Sequence, residues 1–283
     1  MNIGLVGLGL IGGCLGLDLK AIGYRVYGIA RRTETCAEAL SRGVVDVADT
    51  DIKTLKDCHA VIICTPIATI VPMVIQLAEV LKPGTVVTEV GSVKAAIVAA
   101  ASKHWPHFVG GHPMSGKSQA GLAAAEAGIF KGRPYVITPL ENSDADAIAL
   151  VEQLAKDLGS TLYHCTPEAH DRAVAWISHL PVMVSANLIE AATDEPDADV
   201  LELSQQLASS GFRDTSRVGG GNPELGLMMA QYNQAEVLRS LKRYQAAIAT
   251  TIHQLESSDW TAIEQKLHRT KDERSRFVSD ERS

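Results

Sequence analysis

The residues whose spacing points most directly to chemistry come first in the chain. Gly7-Leu8-Gly9-Leu10-Ile11-Gly12 follows an apolar run at once and opens a helical pattern. In that context Gly7 permits a tight turn, Gly9 lets a pyrophosphate approach the backbone, and Gly12 lets helix and strand pack closely. The free amides of the helix start, those of Leu10 and Ile11 among them, then face the phosphates. About 20 residues further on, an NAD site places an acid on the ribose hydroxyls. Here that place reads Ala30-Arg31-Arg32-Thr33, with no acid before Glu34. Two guanidinium groups and a hydroxyl suit a 2′-phosphate, so the expected cofactor is NADP. Thr65 and Pro66, at the end of a later β-branched run, are placed beside the cofactor at the carboxyl edge of the sheet.

Two further stretches carry reactive side chains: Glu89-Val90-Gly91-Ser92-Val93-Lys94 and Gly110-Gly111-His112-Pro113-Met114-Ser115-Gly116. A histidine held by glycines and a proline after a strand is fixed and exposed at a site, and neutral imidazole accepts a hydroxyl proton near pH 7. His112 is therefore the expected general base, with Ser92 bonding and orienting its ring. Lys117 follows the same loop and is a candidate to meet a carboxylate; it and Lys94 also read as surface charges. His170 beside Asp171 reads as structural.

The elements that must position these residues change character once along the chain. Strands are expected at Ile3 to Val6, Arg25 to Ala30, Ala60 to Thr65, Thr85 to Val90, Phe108 to Gly110, Tyr135 to Thr138 and Thr161 to His164, with helices between most of them. Such alternation predicts parallel βαβ units, hence an α/β fold with a Rossmann-type doubly wound sheet over residues 1–165. Thr166-Pro167-Glu168 then reads as an N-cap, a first-turn proline and a first-turn acid. No strand is expected beyond it, so residues 166–283 form an all-helical substrate and dimerisation domain. Asn222-Pro223-Glu224 repeats the start signal and opens an apolar pattern running to Leu255. Unbroken, that helix would be on the order of 50 Å long, and its stripe calls for a second subunit, a homodimer. The charged stretch from His268 to Ser283 is expected to fray.

Composition bounds the partners. The formal net charge of −7 lacks the basic face that nucleic acid demands. The five cysteines are scattered and none are at CxxC spacing, which predicts reduced cytosolic thiols and no metal site. The chain enters a strand from Asn2, and no apolar run approaches the roughly 18 residues of a membrane span. The expectation is a cytoplasmic protein acting on a small molecule, without a membrane partner.

Taken together, the GLGLIG start, the VGSVK and GGHPMSG segments, His170-Asp171, Ile177-Ser178-His179-Leu180-Pro181 and Gly211-Phe212-Arg213-Asp214-Thr215-Ser216-Arg217 resemble the prephenate/arogenate dehydrogenase family. They do so in family order over most of the chain, and most like its NADP-dependent arogenate dehydrogenases of cyanobacterial and plant type. Glu89 departs from the family's more usual Asp. The resemblance implies that His112 takes the proton of a ring hydroxyl as hydride leaves the same carbon, and that Ser92 orients His112 and the cofactor. It implies that Arg217 pairs with a substrate carboxylate, that His179 contacts substrate from the helical domain, and that Gly221 offers a backbone contact, with Arg213 a further candidate. The arginines four apart also read as a solvated helix face, and His179 as a helix-terminal cation.

The activity implied is oxidative decarboxylation of L-arogenate to L-tyrosine, with prephenate and its product 4-hydroxyphenylpyruvate as the alternative within the family. A β-hydroxyacid dehydrogenase also joins a dinucleotide domain to a helical one, but needs a helical-domain lysine with no clear candidate here. A non-catalytic NADP-sensing protein would need the glycines without His112, Ser92 or Arg217.

Overall fold

The computed structural model of the chain describes residues 1–117 and 119–278. Eight strands form one sheet: β1 (Asn2–Val6), β2 (Arg25–Ile29), β3 (Val47–Asp49), β4 (Ala60–Ile63), β5 (Val86–Glu89), β6 (Phe108–Pro113), β7 (Pro134–Thr138) and β8 (Thr161–His164). Their order is β3-β2-β1-β4-β5-β6-β7-β8. The order reverses between β1 and β4, and the crevice outside the carboxyl ends of the strands at such a switch point is where ligands bind. Helices α1 (Leu10–Ala21), α2 (Thr33–Ser41), α3 (Ile67–Ala78), α4 (Ala95–Ala101) and α5 (Ala145–Asp157) connect the strands.

Period-two alternation builds the two faces. Ile3, Leu5, Ala60 and Ile62 point into one apolar cluster with α1 and α5, whereas Val61, Ile63, Val87 and Phe108 point into another with α3 and α4. β4 is buried at every position, as a central parallel strand covered on both faces must be. One departure from the parallel expectation matters for the site. β6 pairs parallel with β5 only at Phe108 and Val109, then antiparallel with β7 from Gly110 to Pro113. The strand therefore runs past the carboxyl end of β5. The expected end at Gly110 was too early, because glycines and a proline resemble a turn although β7 supplies a partner. The three-residue strand β3 was not expected either; it is too short for an apolar pattern.

The helices after β8 are α6 (Pro167–Val174), a π-helical turn (Ala175–His179), α7 (Leu180–Thr193), α8 (Ala198–Leu207), α9 (Ser210–Ser216), α10 (Pro223–Tyr232), α11 (Gln234–Glu256) and α12 (Trp260–Phe277). Thr166 caps α6 by accepting from the Ala169 amide, and Asn222 caps α10 by accepting from that of Glu224. Pro167–Thr193 is a continuous 27-residue helical run whose most apolar window has a mean hydropathy of 1.2, long and apolar enough to cross a membrane by length and composition alone, where the sequence predicted no such run. It buries His170, Asp171 and His179, so this run carries ionisable side chains into the protein core.

The single long helix expected to Leu255 is broken. Asn233 leaves helical geometry at φ −118°, ψ 32°, and its side chain bonds the Asp171 carbonyl instead. By compactness the chain divides into Met1–Gln234 and Ala235–Ser283. In the second unit the Asp259 side chain caps α12, and Lys266 bonds Thr251 across the two helices. The segment expected to fray is helical to Phe277; its last residues, 279–283, lie outside those described.

Candidate active site

The glycine loop joins β1 to α1. Gly7 holds φ at +100°, a region closed to most side chains, and a Cβ on Gly12 would sit on the Gly7 carbonyl oxygen. An added Cβ at Gly9, by contrast, meets nothing within 4 Å. The first intrahelical bond of α1 runs from Gly13 N to Gly9 O at 2.8 Å, so the amides of Leu10, Ile11 and Gly12 lack intrahelical acceptors. Across the switch point, the Thr65 hydroxyl oxygen is buried without a partner among the described residues, and Pro66 leads into α3. Open space, unclaimed amides and an unpaired hydroxyl fit a dinucleotide pyrophosphate. Ala30 is buried at the end of β2, while Arg31, Arg32 and Thr33 are exposed at the start of α2. Asp49, at the end of the adjacent β3, accepts from the Thr50 and Asp51 amides and the Thr54 hydroxyl.

His112 lies within β6, opposite Val136 of β7; it is not in a loop after the strand. Beneath it is a buried ion pair. Lys94 Nζ meets Glu89 Oε1 and donates to the Gly111 carbonyl at 2.8 Å. Both side chains have no exposed surface, so Lys94 is not a surface charge. Glu89 also accepts from the Gly91 amide at 2.7 Å and the Gly111 amide at 3.2 Å. It therefore supports the turn, as its tolerance in place of Asp requires. A Cβ on Gly111 would come within 2.9 Å of the Glu89 carbonyl oxygen, which explains glycine beside the histidine.

The orienting bond expected from Ser92 comes from elsewhere. His112 Nδ1 lies 2.8 Å from His170 Nε2, and His170 Nδ1 lies 2.8 Å from Asp171 Oδ1. Ser92 Oγ is buried without a partner among the described residues, and the Nδ1 side of His112 is taken by His170. Asp171 in turn accepts from the backbone amides of Lys94 and Ala95. Burial, foremost, and the nearby Lys94 push the His112 imidazole well below its ordinary pKa, so the ring is neutral near pH 7.

His179 joins the same cluster because the helix is deformed. Nine residues separate it from His170, and at about 100° per residue a regular helix would set the two on opposite faces. The π turn takes up an extra residue and rotates His179 back by roughly 100°. Its Nδ1 is 3.1 Å from Asn233 Nδ2, and its Nε2 is buried without a partner among the described residues. It is fully buried, and burial lowers its pKa to about 4 although Asp171 opposes the shift. It is a neutral wall of the site and not a helix-terminal cation.

The structure thus gathers His112, Ser92 and His179 with His170, Asp171 and Asn233. The last three were not expected at the site, and their partners lie 54 to 77 positions apart, a separation that no local pattern records, except for the adjacent His170–Asp171 pair. Among the described residues, the other candidates share no hydrogen bond or ion pair with this cluster. Arg217 is exposed just past α9, where the Gly219 amide donates to Ser185 of α7 at 2.8 Å. Gly221 is exposed and its amide donates to Val218. Arg213 pairs with Asp214 at 3.0 Å with both side chains largely in solvent, a solvated face. Lys117 pairs with Glu126 at 2.5 Å at the mouth of a recess that Lys131 and Arg133 also line. Among the described residues no group of three His, Cys, Asp or Glu side chains is placed to hold a metal ion.

Family models describe both parts of the chain. The prephenate dehydrogenase nucleotide-binding domain matches residues 15–164, and the prephenate dehydrogenase dimerization domain matches residues 166–269. The structure of Synechocystis arogenate dehydrogenase is similar with a TM-score of 0.88 and 47% identity, over 98% of this chain and 100% of that one. Prephenate dehydrogenase of Bacillus subtilis is 34% identical over 83% of this chain; the match spans 64% of that relative's length. Prephenate dehydrogenase of Aquifex aeolicus, solved with hydroxyphenyl propionate and NAD+, shares the fold with a TM-score of 0.92 at 23% identity, over 98% of each chain. A glycine loop at the switch point, a buried histidine on an overrunning strand and two consecutive family models covering most of the sequence lead to one assignment: the chain belongs to the prephenate/arogenate dehydrogenase family.

Proposed function

We propose that the chain oxidatively decarboxylates L-arogenate to L-tyrosine, with NADP as hydride acceptor, as a cytoplasmic homodimer whose helical part, from residue 166 on, completes the substrate site. The observation that carries the chemistry is the His112 ring: buried, neutral, and near His179, whose Nε2, like Ser92 Oγ, is buried without a partner among the described residues. The loop from Gly7 to Gly12 and the Thr65 hydroxyl hold the dinucleotide, which when bound supplies a nicotinamide that accepts hydride from the ring carbon bearing the alcohol.

His112 removes the hydroxyl proton as that carbon becomes a carbonyl. The carbonyl is conjugated with the carbon bearing the ring carboxylate, so the electrons of the carboxylate bond flow into the ring as carbon dioxide leaves. The phenolate that results takes up a proton at its oxygen and becomes the phenol. Aromatisation drives the reaction, and the protein's tasks are alignment and the movement of one proton. Ser92 and His179 fix the substrate's oxygens. Arg217, just past α9, supplies a forked partner for a carboxylate.

NADP is favoured because Arg31 and Arg32 stand at the end of β2 where a ribose-binding acid would be, and because Asp49 is already held by its own loop. Arogenate is favoured by the 47% identity, over the whole chain, to an enzyme of that name. The apolar residues exposed along α11 and α12, Ile248, Ile252, Leu255, Trp260 and Leu267, support a second subunit.

The test is a comparison of initial rates on arogenate and prephenate, each with NADP and NAD. Arogenate with NADP should give the highest kcat/KM. A higher value for prephenate moves the function to prephenate dehydrogenase, and no dinucleotide reduction with either ring substrate ends the reading.

A further inference from the structure

Two histidines face one site, and their outer partners treat them in opposite ways. Asp171 is held as an acceptor. Its Oδ1 receives the Lys94 amide at 2.7 Å, and its Oδ2 receives that of Ala95 at 2.8 Å. The His170 nitrogen that meets this carboxylate, Nδ1 at 2.8 Å, therefore carries the proton between them. Where His112 is the base, its Nδ1, 2.8 Å from His170 Nε2, is the nitrogen that donates, and His170 Nε2 accepts. His112 has to donate through Nδ1, which leaves its own Nε2 bare.

The order is inverted at His179. Asn233 Nδ2 lies 2.8 Å from the Asp171 carbonyl oxygen. A carbonyl only accepts, which settles which end of the amide is nitrogen. The same Nδ2 lies 3.1 Å from His179 Nδ1, so that ring nitrogen accepts. The proton of a neutral His179 then sits on Nε2, an atom buried without a close partner among the described residues, with the Ser92 backbone carbonyl beside the ring. Both rings are neutral near pH 7, since burial holds His112 well below its usual value and His179 at about 4.

The geometry points to His170, Asp171 and Asn233 as positioning residues that lock the two site histidines in opposite tautomers, His112 as a proton acceptor through Nε2 and His179 as a donor through Nε2. The substrate this arrangement takes offers an alcohol proton to one ring and an oxygen lone pair to the other. The inference rests on the reading of His112 as the base, because the reverse tautomer would present an N–H to the alcohol and have no lone pair with which to take its proton. It assigns work to a His170–Asp171 pair that sequence alone left as structural, and it gives Asn233, the residue that breaks the helix, a reason to be there.

The imidazole nitrogen shifts of the full chain, labelled at histidine and recorded near neutral pH without added ligand, read the tautomers directly. His112→Asn and His179→Asn each remove one set of signals and so assign them. The expected pattern is a protonated Nδ1 and bare Nε2 at His112, and the reverse at His179. The same tautomer at both rings, a doubly protonated His170 feeding an Nε2–H form of His112, or a fast average at either ring overturns the inference.

Asp171→Asn turns an amide hydrogen toward one of the N–H groups from which the carboxylate now accepts. It is expected to move His112 toward the Nε2–H form and lower kcat by about 10²-fold, while KM stays within about threefold. Equal loss in kcat and gain in KM with an unchanged His112 signal would make Asp171 a merely structural residue. The nitrogen shifts need no substrate, so the two readings fail separately. Opposite tautomers in a protein that turns over neither ring substrate would sink the proposed reaction alone, and matching tautomers in an active enzyme would sink this inference alone.

Discussion

Burial drives His112 and His179 in the same direction, and the consequence appears in two pH profiles. A base must be neutral to work, and His112 stays neutral until the pH falls well below 6.5. The acid limb of kcat/KM is therefore expected below pH 6.5; a limb at or above that value would show an exposed imidazole. Stability follows the other profile. An unfolded chain protonates His179 near 6.5, whereas the folded protein resists until about 4. Between those values the unfolded state binds more protons, so stability rises with pH and is lost as pH falls through the window. A Tm measured from pH 4 to 7 should climb across it. Arg217→Ala should raise KM roughly tenfold or more with little change in kcat if it strips the proposed carboxylate clamp; steady-state kinetics showing only a fall in kcat would place Arg217 in the chemistry instead. At this scale the sequence exposed the residues with a local signature. His112 sits between glycines and a proline, Ser92 sits beside a glycine, and His179 precedes Leu180-Pro181. Asn233 has no such signature, and its role depends on two atoms more than 50 positions away.

The elements explain why those side chains stand where they do. β6 overruns β5 because β7 pairs antiparallel with its last four residues, and this carries His112 over the carboxyl edge of the sheet. The ion pair of Lys94 and Glu89 sits under that overrun with no exposed surface. Lys94→Met leaves a buried carboxylate unpaired and is expected to cost about 3–5 kcal/mol, read by denaturant unfolding. Adding Glu89→Gln, which removes the unpaired charge but keeps an acceptor for only one of the Gly91 and Gly111 amides, should recover part of the loss; no recovery would mean that the pair is not the source of it. Alternating strands and helices were legible because their apolar periods are local: β1, β2, β4, β7 and β8 fall within a residue or two of the expected ranges. What periodicity does not encode is pairing direction. The antiparallel turn of β6 was therefore missed, as was the break at Asn233, where a tertiary hydrogen bond outweighs an uninterrupted helical pattern.

For the whole molecule, the chain leaves apolar surface uncovered on a scale that one copy does not resolve. Ile248, Ile252 and Leu255 lie at helical spacing along α11 with about half of each side chain exposed, and Trp260 and Leu267 of α12 are more exposed still. Sedimentation should show a dimer, and Ile252→Lys should shift it toward monomer with the dinucleotide-binding part still folded; a dimer of unchanged strength would place the interface on other helices. The account as a whole stands on the imidazole at the end of β6. Its most direct test is single-turnover reduction of NADP by arogenate in the wild-type enzyme and in His112→Asn, with NADP affinity measured alongside. We expect affinity to change little and the chemical step to slow by about 10²-fold or more. An undiminished chemical step in the variant would contradict the account.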